Sequence, residues 1–92
     1  MKILSGAMAM STTNIQNISC QQDKLHAHIK LEERGVFMVL LSDRNKSVLV
    51  KRFVEFNSGN NDVQLLTGIL KQGQYMLSVI KGNTVLKHFF SI

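Results

Sequence analysis

From Asp23 onward, apolar residues return at a spacing of two, and the breaks between runs are filled with Gly, Asn, Asp and Ser. Period two marks a strand with one buried face, and those breakers are turn formers, so the pattern predicts short strands joined by turns. Leu25, Ala27, Ile29 and Leu31 alternate with His26, His28, Lys30 and Glu32, as in a strand with one wet face. Leu25, His28, Ile29 and Glu32 also fall at helical spacing, so a helix over 24–34 stands as the alternative there. Residues 36–41 form an unbroken apolar run, short for a helix but suited to a central strand covered on both sides.

Residues 43–47, Asp-Arg-Asn-Lys-Ser, are turn chemistry, because Asp and Asn side chains bond their own nearby backbone. A strand follows over 48–56. Its parity is imperfect, with Val48 and Val50 on one face and Phe53 on the other, which predicts a bulge or an edge position near Lys51-Arg52. The polar run 57–61 ends that strand, 62–66 is a short strand, 67–73 a loop, and 74–81 a strand in which Tyr75, Leu77 and Val79 share a face. Gly82-Asn83 is the strongest local signal. A two-residue loop of this kind needs positive φ, which Gly adopts freely and Asn tolerates, so residues 84–92 should pair antiparallel with the strand before them. A further strand over 15–21 brings the number to seven, which suits two packed antiparallel layers: an all-β, immunoglobulin-like β-sandwich.

Composition sharpens this picture. The 92 residues hold one domain, and 31 of them are Leu, Ile, Val or Phe, enough for a packed core. At this length little surface is left over for a deep enzymatic cleft. Trp is absent and Cys20 is the lone cysteine, so neither the disulfide nor the buried tryptophan of antibody domains contributes, and packing alone must hold the layers. Cys20 stands as a small buried hydrophobe, a free thiol or an intermolecular bridge. Gly73-Gln74-Tyr75 places a Gly-x-Tyr at the start of the penultimate strand, where sandwiches often use a tyrosine whose hydroxyl bonds back to the backbone just upstream.

Charge changes less. The net charge of +5 permits an anionic partner, but the basic residues are scattered singly, and Lys51-Arg52, the only adjacent pair, points to opposite faces of a strand. The clustered basic stripe with stacking aromatics that marks a nucleic-acid binder is missing. No run of about 18 apolar residues exists, so no membrane-spanning segment is predicted. The opening Met1-Lys2-Ile3-Leu4-Ser5-Gly6-Ala7-Met8-Ala9 has the parts of a secretory signal in shortened form: one positive charge, a brief apolar patch and an Ala-x-Ala end. Residues 1–13 are therefore read as a disordered tail or a signal-peptide remnant, and residues 14–92 as the sandwich.

Candidate chemistry is sparse. His26 and His28 share a strand face, and with His88 they are the imidazoles that could meet at a zinc or copper ion; two solvated histidines and a partly buried His88 are the plainer alternative. There is no Gly-x-Ser-x-Gly, Glu32 and Glu33 diverge on a strand, and Gly59, Gly68, Gly73 and Gly82 are spaced as turn residues rather than as a phosphate loop. Phe89 and Phe90 read as core and edge packing. No enzyme and no cofactor is predicted.

Over residues 37–92 the order of signals, namely Asp43 in a turn, Val48-Leu49-Val50, Leu-x-x-Gly-x-Tyr at 70–75, Val79-Ile80, Gly82-Asn83 and a closing Phe90-Ser91-Ile92, resembles two related groups. One is a set of small secreted immunoglobulin-like proteins of unknown function from gut anaerobes. The other is the C-terminal sorting domain of type IX secretion, with its similar closing hairpin and basic residues in the last strand, as Lys87 is here. The first implies a secreted, periplasmic or surface module binding a protein or glycan. The second implies a secretion signal read by the export machinery, and a basic nucleic-acid binder in the cytoplasm is the remaining alternative. Recognition is expected at an exposed sheet edge, which would also allow self-association, or at the polar loops 43–47 and 57–61.

Overall fold

A computed structural model describes residues 14–92. The expectation for residues 1–13 lies outside the described residues. Among the described residues seven strands follow one another: β1 (Asn14–Gln21), β2 (Lys24–Leu31), β3 (Gly35–Asp43), β4 (Val48–Phe56), β5 (Gly59–Leu66), β6 (Gln74–Lys81) and β7 (Thr84–Ser91). The window 24–34 thus holds a strand over Lys24–Leu31 and no helix, because alternate burial of Leu25, Ala27, Ile29 and Leu31 serves the core as a helical stripe there would not. All pairings are antiparallel, in a three-stranded sheet of order β1-β2-β5 and a four-stranded sheet of order β4-β3-β6-β7. The molecule is an all-β sandwich of the immunoglobulin-like kind, with the fourth strand attached to the larger sheet.

The inner faces of the two sheets meet in one core. Leu25, Ile29, Phe37, Val39, Leu41, Leu65, Leu77 and Val79 are its fully buried side chains, and Phe37 meets Phe56 edge-on with ring centres 5.8 Å apart. Tyr75 belongs to the same core, stacks on Phe90, and its hydroxyl donates to the carbonyl oxygen of Lys71 over 2.6 Å. That bond ties the end of the 67–73 loop to the start of β6. Gly82, at φ +57, turns the chain between Lys81 and Thr84, which pair directly across a two-residue loop.

Three local expectations need correction. The strand 48–56 does lie at a sheet edge, as expected near Lys51-Arg52, but Val48 and Val50 do not share a face: the irregularity lies between them, so Val48 sits opposite Ser42 on the outer face with Phe53, whereas Val50 faces the core opposite Leu41. Residues 59–61 of the run read as a loop are already strand: the Asn61 side chain accepts the Asn57 N–H and donates to the Asn57 and Gly59 carbonyls, bracing a tight turn from within β5. The run 36–41 is covered on one side only among the described residues; Phe37, Val39 and Leu41 face the core, while Val36 and its outward neighbours do not.

Candidate functional site, the outer face of the four-stranded sheet

Cross-strand partners share a face, so the register gives the composition of each surface. On the outer face of the four-stranded sheet the first row reads Phe53, Met38, Ile80 and Val85 across β4, β3, β6 and β7. The next reads Lys51, Leu40, Ser78 and Lys87. The third reads Val48, Ser42, Met76 and Phe89. Phe53 and Phe89, on the two edge strands, are 68% and 74% exposed, and Val36, Val48 and Val85 are also exposed. Ser42 and Ser78 lie on this same face yet are only 6% and 2% exposed. Short side chains flanked by longer ones, they are covered by their neighbours, and Ser42 alone of the two borders an opening.

The charges on this face are arranged around the apolar rows. Lys51 and Lys87 stand at the two sides of the middle row, and the Lys51 ammonium lies 5.8 Å from the centre of the Phe53 ring. At its Ser42 end the face opens into a groove of about 470 Å³ whose walls include Arg44, Lys46, Met76, Lys87 and Phe89. Asp43 also borders it, but one of its carboxylate oxygens accepts the backbone N–H groups of Asn45 and Ser47 and so is engaged in holding the turn. Glu55 sits at the opposite end, across from Val36. A surface apolar in its middle and basic at its sides suits association with a partner that is apolar and acidic.

The residues singled out from sequence do not converge here. His26 and His28 project from the outer face of the three-stranded sheet, opposite Gln64 and Asp62, whereas His88 shares the core side of β7 with Leu86 and Phe90. No group of three metal-ligating side chains exists among the described residues. Both ring nitrogens of His28 face oxygens, Nδ1 at 2.8 Å from Asp62 Oδ1 and Nε2 at 3.2 Å from Asn60 Oδ1. Two acceptors are satisfied together only by the doubly protonated ring, and these bonds raise its pKa above the usual 6.5. Cys20 packs against the core opposite Leu25, on the other side of the sheet from both histidines, and burial pushes its thiol pKa up. Gly73, Tyr75, Gly82 and Asn83 serve the backbone features described above.

Two of the four edge strands, β1 and β4, are poorly formed for accepting another strand. β1 is interrupted at Asn17, which has φ +20, and β4 carries its irregularity beside Val48, with Arg52 directed to the core side opposite Val39. Bulges and inward charges of this kind oppose edge-to-edge pairing. The described residues contain no helix long and apolar enough to cross a membrane. No family model and no curated protein matches the chain. Phe53, Phe89 and the lysines beside them were not anticipated as a site, although the double-sided apolar run 36–41 was the signal from which it could have been found.

Proposed function

We propose that the chain is a non-catalytic, exported or surface-displayed binding module that engages a protein through the outer face of its four-stranded sheet, rather than through an edge or the end loops. The observation that carries this reading is the face itself. Its alternation is broken in favour of apolar residues on all four strands, and Phe53 and Phe89 stand largely in solvent. Folding gains little from side chains so exposed, whereas an interface core gains from apolar side chains and aromatic anchors. A protein suits this surface better than a glycan, since hydrogen-bonding groups are few in its three rows. Export rests on the resemblance and on the signal-like character of residues 1–9.

Site-specific photocrosslinking tests it. Benzoylphenylalanine placed at Phe53 or Phe89 in the native cells should give a discrete protein adduct, and the same probe at Asn57 or Ser58 should give none. Adducts from the loop positions alone, or none from the face, would overturn the reading.

A further inference from the structure

We infer that the occupant of this face is an amphipathic helix with acidic flanks, laid along β3 and β6 between Lys51 and Lys87. The inference rests on the protein-binding reading and adds the partner's chemistry. Lys51 and Lys87 lie on the two edge strands of the same row, three strand spacings or about 14 Å apart. A helix with its side chains is about 10–12 Å across, so it fits between them with one flank against each lysine. Beneath it Met38, Leu40, Met76 and Ile80, beside the buried Ser42 and Ser78, meet its apolar stripe. From Met38 to Ser42 the face runs about 13 Å, the length of about nine helical residues.

The ends of the face also match a helix in polarity. Arg44 and Lys46 border one end and Glu55 the other. A helix carries partial negative charge at its C-terminus and partial positive charge at its N-terminus, so the favoured direction sets its C-terminus toward Arg44 and Lys46. A second copy of this chain fits less well. It carries the same net charge of +5 and would present its own Lys51 and Lys87 to this face.

The test uses the full chain and two synthetic peptides of about 18 residues, long enough to hold a helix. Both have one leucine face; one carries glutamate along its flanks and the other lysine. The acidic peptide should bind at least about tenfold tighter than its lysine counterpart, and should weaken as salt is raised. The double variant Lys51→Glu/Lys87→Glu should lose about tenfold or more, Lys51→Gln/Lys87→Gln less, and Phe53→Ser/Phe89→Ser should lose binding while amide shift dispersion shows each variant folded.

Equal affinity for the two peptides, no binding of either, or indifference to the lysine reversal would overturn the inference. Self-association of the chain at micromolar concentration through this face would do the same, as would sedimentation with phosphatidylglycerol vesicles that the lysine reversal abolishes. If photocrosslinks from Phe53 persist while the acidic peptide fails, the helix inference falls and protein binding stands; if the crosslinks themselves are absent, the protein-binding reading falls.

Discussion

The two sheets of this sandwich bury equivalent inner faces and show solvent opposite outer ones. On the three-stranded sheet the outward rows are Lys24 with Gln21 and Leu66, His26 with Ser19 and Gln64, His28 with Gln16 and Asp62, and Lys30 with Asn14 and Asn60. Leu66 is the one large apolar side chain among them. On the four-stranded sheet, by contrast, the outward rows are mostly apolar and their charges stand at the sides. One domain thus contains both outcomes of the same alternation: polar outside where water is the only neighbour, and apolar outside where that rule is suspended. Since the polar face demonstrates that the fold does not require an apolar exterior, the apolar face is the feature on which the proposed binding role rests.

The largest effect expected is on folding, and it separates the two sides of one sheet. Phe37→Ala removes a ring that is 2% exposed and packs against Phe56, and should lower unfolding free energy by about 3–5 kcal/mol. Phe53→Ser or Phe89→Ser, on the outside of the same sheet, should each change it by no more than about 0.5 kcal/mol. Urea unfolding at constant slope measures both. A large loss from Phe53→Ser would mean that the outer aromatics serve the fold, and the distinction between the two outer faces would lose its functional meaning.

The strands were legible in the chain because period two and turn residues are local signals, so Val48–Phe56 and Gln74–Lys81 could be bounded from sequence alone. Errors arose where long-range or side-chain geometry decided. The Asn57–Asn61 segment has turn propensity throughout, yet one amide, that of Asn61, suffices for the turn and releases residues 59–61 to pair with β2. The doubly apolar run 36–41 signalled two contacts, of which the described chain supplies one. Its outward neighbours come from β4, β6 and β7, and no local pattern could reveal that Met38 lies between Phe53 and Ile80. The site is a product of register.

Intermediate effects should divide the sheets by where they act. Gly82 has open space for a Cβ but φ of +57, so Gly82→Ala adds backbone strain without a clash and should cost about 1–2 kcal/mol. Tyr75→Phe deletes the hydrogen bond to Lys71 and should cost about 1 kcal/mol. Both changes lie in the four-stranded sheet. In native-state hydrogen exchange, amides of β7 should therefore open earlier than in the parent, with those of β2 following only the global loss of stability. If β2 and β7 respond alike at every amide, the sheets open as one unit and the apolar face has no independent mobility.

The smallest effect belongs to the polar face and depends on pH. His28 has a raised folded-state pKa, first through its hydrogen bond to Asp62 and then through that to Asn60. A raised value means that the cation is favoured by folding. Its contribution is fully present below the unfolded value of about 6.5 and is lost as pH rises through the higher folded value, so stability should decline slightly across neutral pH. In an NMR titration the His28 imidazole should have its midpoint above 6.5, and Asp62→Asn should move it down. Binding at the opposite sheet should be indifferent to both the titration and the substitution. Should acidic-peptide affinity follow the His28 midpoint, the two outer faces would be coupled through the core, and the polar face would then report on the apolar one.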